Sequence, residues 1–152
     1  MSEGRQIRVI MFTDIIGFSN IMSKDISVGL KVLEKNSTLH KDIVEKYTGK
    51  LIKKIGDGTL CIFDSVVEAI NCAQELIKKS NSIDLYKIRI GVHIGELIFK
   101  DDDIFGEGVN IASRLESIAQ PDSIIISKDV NDQLLNFKNI HTKSLGCHSI
   151  KG

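Results

Sequence analysis

The sequence predicts an α+β domain, one sheet with helices packed on it. Strand-like and helix-like segments alternate without a regular βα repeat. Two short apolar runs flank Gly56-Asp57-Gly58, a hairpin signal, because Gly and Asp tolerate the backbone angles of tight turns. Hydrophobic periodicity also switches repeatedly between about 3.6 and 2 residues.

Ile7–Phe12 is rich in Ile, Val and Phe and apolar on both faces, which predicts a central buried strand. From Ser27 to Tyr47 the residues Val28, Val32, Leu39, Ile43 and Tyr47 keep near-helical spacing, and Gly49 ends the helix. Lys50–Ile55 and Thr59–Phe63 are the hairpin strands. Val66, Ala69, Ile70, Ala73, Leu76 and Ile77 mark a second helix that closes in Lys78–Asn81. Ile88, Ile90, Val92 and Ile94 alternate with Lys87, Arg89, Gly91 and His93, a half-buried strand. Gly95-Glu96 is expected to turn it into a further strand, Leu97–Phe99. A third helix spans Glu107–Ala119, where Pro121 blocks continuation. Ser123–Ile126 is a strand, Ser127 the N-cap of a short helix to Leu135, and Lys138–Lys143 a last weak strand.

With 152 residues the chain is long enough for one domain with a sizeable core. Its 20 basic and 20 acidic side chains cancel, which argues against binding nucleic acid or an acidic membrane by bulk charge. No apolar run approaches the length of a spanning helix, and polar Met1–Gln6 gives no signal peptide, so a cytoplasmic location is expected. Cys61, Cys72 and Cys147 form no even framework and no CxxC pair. The histidines His40, His93, His141 and His148 lack metal-ligand spacing.

Chemistry is suggested by a few polar positions. Asp14 ends a strand before Ile15-Ile16-Gly17-Phe18-Ser19, where it could simply be a helix N-cap; Asp57 could simply be a turn residue. Together, two strand-end carboxylates on neighbouring strands can converge on one point if a cation neutralises them. Hard oxygen ligands suit Mg²⁺ or Mn²⁺, which bind through one or two carboxylates plus substrate phosphates. Gly17 opens a backbone turn whose amides could face those phosphates. Lys53 stands in an otherwise apolar strand, where an edge lysine is the plain alternative. Asp103 ends a run of three aspartates that could be a solvated loop. Asn110 and Arg114, four apart, share a helix face; they could pair with each other, or Arg114 with Glu107 or Glu116.

These residues resemble a known family. FTDIIGFS (Phe12–Ser19), KKIGDG (Lys53–Gly58) and DIFGEGVNIASRLE (Asp103–Glu116) together are similar to the catalytic domain of class III nucleotidyl cyclases, in order from Ile7 to Gly152. The resemblance implies a ferredoxin-like (palm-like) fold with a central, mostly antiparallel sheet. It implies one catalytic domain over 1–152, stopping short of a last C-terminal strand and its phosphate-binding lysine. Asp14 and Asp57, with the backbone of Ile15, match the ligands of two divalent cations, Mg²⁺ or Mn²⁺. Ile16, Gly17 and Phe18 match the phosphate-facing turn. Lys53 and Asp103 match the pair that reads the base, Asn110 the residue that orients the ribose, and Arg114 the one that neutralises charge on the α-phosphate. The implied reaction is cyclisation of ATP to 3′,5′-cyclic AMP and pyrophosphate in a head-to-tail homodimer with two composite sites. Where some cyclases carry a further phosphate-touching arginine, Pro121-Asp122-Ser123 supplies none.

The base-reading pair allows an independent check. Lysine only donates and ionised aspartate only accepts, which complements adenine N1 and its N6 amino group. Guanine presents the reverse pattern, which would leave mismatched buried groups. Cytosine shows the same edge as adenine, so hydrogen-bond logic excludes GTP and UTP but leaves CTP open. A cyclase for another nucleotide, CTP before GTP, is one alternative reading, and a catalytically silent dimerisation or nucleotide-sensing domain another. Silent domains usually lose a metal aspartate or the arginine, and both are present here.

Overall fold

The computed structural model describes residues 4–137 and 139–144. In chain order the elements are β1 (Gly4–Ile15), α1 (Phe18–Lys24), α2 (Ile26–Lys46), β2 (Lys50–Ile55), β3 (Gly58–Phe63), α3 (Val66–Ile83), β4 (Ile88–Lys100), β5 (Asp103–Phe105), α4 (Glu107–Ser117), β6 (Ile124–Ile126) and α5 (Lys128–Leu134). The sheet order is β2-β3-β1-β4-β5, with β6 parallel to β4 and every other pairing antiparallel. Counting α1 and α2 as one crossover, β1 to β4 form the βαββαβ arrangement of ferredoxin-like folds. The α+β expectation holds.

Each boundary has a local cause. Asp25 caps α2 by accepting from Ser27 N at 2.9 Å and Val28 N at 3.3 Å. Ser65 caps α3, and Ser127 caps α5 as its sequence position suggested. Ile55 pairs with Gly58 across a two-residue turn, where Gly56 adopts φ 61°, a left-handed value that suits glycine.

Strand alternation gives the sheet two packed faces. Val9, Met11 and Ile15 of β1 join Ile88, Ile90 and Val92 of β4 in the larger core, which α2, α3 and α5 cover with Val32, Ile43, Leu76 and Val130. Ile10 of β1 points the other way and packs with Leu60, Leu97, Phe99, Ile104 and Ala112 of α4. On that second face the sheet curls until its two edge strands, β2 and β5, come within reach of each other.

Several boundaries differ from the expectations. β1 begins earlier and ends later than Ile7–Phe12, and β4 runs unbroken through Gly95-Glu96, with no turn there. The reason is mutual: β1 supplies a partner along the whole length, including Arg8↔Gly95 and Ile7↔Glu96. α1 and β5 were not anticipated; they are short, and their sequences carry little periodicity. α3 continues to Ile83, past the polar Lys78–Asn81 cluster. Residues 139–144 form no strand, while Lys138, Cys147 and His148 lie outside the described residues. Asp14 is no N-cap: it sits within β1, and α1 starts from Gly17 with no side-chain cap.

One polar pair is buried between α2 and the sheet. His40 is fully buried; its Nδ1 lies 2.9 Å from Asn36 O and its Nε2 2.7 Å from Thr13 Oγ1. Because a carbonyl can only accept, Nδ1 is the donor, and with burial keeping the ring neutral Nε2 accepts from the Thr13 hydroxyl. Burial pushes its pKa down from 6.5 to about 4. Between those values the unfolded chain binds a proton that the native state does not, so stability falls as pH drops through the window. The loss should reach about 3 kcal/mol. Denaturant midpoints measured from pH 7 down to pH 4.5 should fall, and His40→Gln should flatten that slope.

Candidate active site

Asp14 and Asp57 meet at one corner of the sheet, as expected. Pairing of β1 with β3 brings the β2–β3 turn alongside the end of β1, and Asp57 Oδ2 accepts from Ile15 N at 3.0 Å. The turn reading of Asp57 is thus also correct, but its carboxylate is tied to the strand that carries Asp14. The amide of Ile16 is taken by Lys87 O at 2.8 Å. Gly17 and Phe18 are the positions at which α1 opens, Gly17 with φ 62°.

Two further residues complete this corner, and sequence reasoning missed both as members of it. Arg89 lies directly opposite Asp14 in the β1–β4 register. It donates from Nε to Asp14 Oδ1 at 2.9 Å and from Nη2 to Oδ2 at 3.2 Å, a bidentate pairing. Its Nη1 donates to Ser117 O at 3.1 Å, which also satisfies a carbonyl at the end of α4. Glu116 of α4 places Oε2 3.4 Å from Arg89 Nε, and its side chain is only 4% exposed. Burial, then the Asp14 carboxylate beside it, push the Glu116 carboxyl far above the usual range, and the Asp57 charge adds to this. The corner therefore gathers three carboxyl groups around one guanidinium.

α4 reaches this corner because the strand beneath it has no side chain at Gly91. An ideal Cβ there would lie 2.4 Å from both Ala112 O and Glu116 N. The signal was in the sequence: Gly91 and Gly95 alternate with His93 on one strand face, as where another backbone approaches closely.

The Lys53–Asp103 pair is assembled by the curl of the sheet. Lys53 Nζ in edge strand β2 donates to Asp103 Oδ2 in β5 at 2.9 Å. Asp103 also accepts from Ile104 N at 2.7 Å. The Lys53 bond first, then the Ile104 amide, hold the Asp103 carboxyl below the usual range. Lys53 is an edge-strand lysine, yet its ammonium is committed, and Asp103 is not merely a loop residue.

Asn110 and Arg114 take the outer side of α4. Gly108, Ala112, Leu115 and Glu116 are its buried residues. Arg114 is two positions from Glu116, roughly 200° around the helix, and Asn110 lies one turn before Arg114. Asn110 is exposed and Arg114 half-buried, and among the described residues neither side chain has a hydrogen-bond or ion-pair partner. The pairings considered for Arg114 with Asn110, Glu107 or Glu116 do not form; Glu116 is spent on Arg89. An open cleft of about 310 Å³ lies beside Asp57, lined by Asn36, Ser37 and Lys54 among others, and it includes none of Lys53, Asp103, Asn110 or Arg114.

A family model described as the adenylate and guanylate cyclase catalytic domain matches residues 3–152. The chain belongs to that family. This cyclase domain is 30% identical over 156 residues to a Rhizobium meliloti protein named as a candidate adenylate cyclase, covering 97% of this chain and 26% of the relative. It is 28% identical to an adenylate cyclase of Streptomyces coelicolor, covering 84% of this chain and 34% of that protein. A receptor-type guanylate cyclase of Caenorhabditis elegans is 30% identical, over 94% of this chain and 16% of the relative. The chain thus spans about a third or less of the length of these relatives. Among solved structures, an adenylate/guanylate cyclase/hydrolase from Silicibacter pomeroyi superposes with a TM-score of 0.85 at 28% identity, covering 99% of this chain and 92% of that one. The adenylyl cyclase CyaB of P. aeruginosa shares the fold, with a TM-score of 0.79 at 23% identity over 88% of this chain and 83% of its own.

The cyclase domain depends on the close approach at Gly91. Gly91→Ala should push α4 off β4 and cost about 1–3 kcal/mol, the usual penalty of overpacking. A urea titration would show it, and wild-type stability would refute the close-approach argument.

Proposed function

We propose that this domain is a class III adenylate cyclase, converting ATP to 3′,5′-cyclic AMP and pyrophosphate at sites shared between two copies of the chain. The observation that carries this reading is the division of α4. Its inner side packs on the corner of Asp14 and Asp57, while Asn110 and Arg114 lie on the outer side with no side-chain partner among the described residues. Residues suited to one reaction are split between opposite sides of a rigid helix. A second copy related by a twofold axis would bring the outer side of one α4 to the acidic corner of the other.

The acidic corner fits divalent cations. Asp14 and Asp57 offer two carboxylates there, and among the described residues no group of three His, Cys, Asp or Glu side chains is placed to hold a metal ion by itself. That suits Mg²⁺ or Mn²⁺, which take one or two carboxylates and fill the remaining positions with water and phosphate. Asp14, Asp57 and the carbonyl of Ile15 would hold the ions, which when bound favour ionisation of the ribose 3′-hydroxyl and neutralise the triphosphate. Gly17 and Phe18 would offer amides to the phosphates.

Lys53 and Asp103 would fix the adenine, lysine donating to N1 and aspartate accepting from the N6 amino group. The bond from Lys53 holds the Asp103 carboxyl in its ionised form before substrate arrives. Asn110 would orient the ribose. The 3′-oxygen then forms its bond to the α-phosphorus as the bond to the bridging oxygen of pyrophosphate breaks, and the hydroxyl proton passes to solvent. Arg114 would donate to the charge that grows on the α-phosphate, worth a few kcal/mol for one well-aimed donor.

Two experiments test this. Offered ATP, CTP, GTP and UTP separately with Mg²⁺ or Mn²⁺, the protein should give cyclic AMP as the dominant product by mass spectrometry. Preference for GTP would overturn the roles of Lys53 and Asp103. Asp14→Ala and Arg114→Ala should each lower activity at least a hundredfold. Mixing the two inactive proteins should restore part of it, because one of the composite sites then keeps every group. Mixed dimers that form and stay inactive would refute the shared site.

A further inference from the structure

We propose that Glu116 is a positioning residue for cation entry, taking over the guanidinium of Arg89 when a divalent ion claims Asp14. The inference rests on the reading of Asp14 and Asp57 as cation ligands. In the protein as it stands, Arg89 is the resident cation of the corner, with two of its nitrogens on the two oxygens of Asp14. A divalent ion on those oxygens would share them with the guanidinium at close range, since each oxygen keeps a second lone pair. It would then repel the arginine.

The structure provides a place for the displaced group. Arg89 Nε is shared unequally, 2.9 Å from Asp14 Oδ1 and 3.4 Å from Glu116 Oε2. The longer contact is an ion-pair distance and not yet a hydrogen bond, since the hydrogen on Nε is given to Asp14. Once Asp14 is withdrawn, the donor belongs to Glu116 alone, and a small shift of the guanidinium shortens that contact. Nη1 stays on Ser117 O at 3.1 Å throughout and acts as the pivot. Glu116 therefore stabilises the displaced arrangement more than the resident one, and only such a difference can shift the exchange. Its location suits that role, because α4 is locked against β4 at Gly91 and the acceptor cannot drift with the arginine.

Mn²⁺ binding to the nucleotide-free protein, followed by electron paramagnetic resonance, tests this without reference to turnover. Glu116→Met removes the acceptor at similar length in a buried position; it should weaken Mn²⁺ binding about tenfold, the scale of one hydrogen bond to a charged group. Glu116→Gln keeps an acceptor oxygen and should recover most of the loss. Arg89→Ala removes the competitor and should tighten binding. In the Arg89→Ala background, Glu116→Met should then have no effect on Mn²⁺. An equal loss in both backgrounds would make Glu116 a direct ligand and overturn the proposal. So would a Glu116→Met protein with altered thermal stability but wild-type Mn²⁺ affinity. If wild type itself binds no Mn²⁺, the cation reading of Asp14 and Asp57 falls, and this inference falls with it.

Discussion

The antiparallel pairing of β1 with β4 is the constraint on which the site depends. It runs from Gly4↔Phe99 to Ile15↔Ile88 and sets Asp14 directly across from Arg89. A slip of one residue would turn one strand over relative to the other and send either Asp14 or Arg89 to the face covered by α2 and α3, where its charge would lie unpaired in an apolar core. The same pairing places Gly91 beneath α4, so that the helix can settle close enough for Glu116 to reach Arg89. Register, close approach and charge cluster are one arrangement.

Two ion pairs in the domain look alike and have opposite uses. In the first pair Lys53 holds the Asp103 carboxyl below its usual range, and together they present a donor and an acceptor. Arg89 and Asp14 cancel each other, so a cation that came to Asp14 would have to compete with the arginine. Both pairs are partly exposed, so neither is a large source of stability. Their value lies in where they hold charge.

Much of this was legible in the sequence because it is local. Helical spacing located α2 and α3, the Gly56-Asp57 turn located its hairpin, and Ser127 marked the start of α5. Asp14, Asp57, Lys53, Asp103, Asn110 and Arg114 were found through three motifs and the family they resemble. What stayed hidden is long-range. Arg89 read as one of the outward residues of a half-buried strand, since nothing in the local pattern says that α4 covers that side. Glu116 read as a partner for Arg114, although the helix turns the two roughly 200° apart. The meeting of Lys53 with Asp103 required the sheet to curl, which no window of sequence records. β5 and α1 are too short to show a period.

The order of elements along the chain carries a kinetic consequence. β1 is made first, but its longest partner lies more than seventy positions downstream, at Ile88↔Ile15 and beyond. Closing loops of that size before the contacts reward it is slow, and such topologies fold later than helical ones of equal length. During synthesis β1 can meet β3 while β4 is still within the ribosome. Until β4 emerges, the nascent chain has half a sheet with an open edge, and Asp14 has no counter-charge. The acidic corner is thus among the last features to form, and its completion reports that the whole sheet has closed.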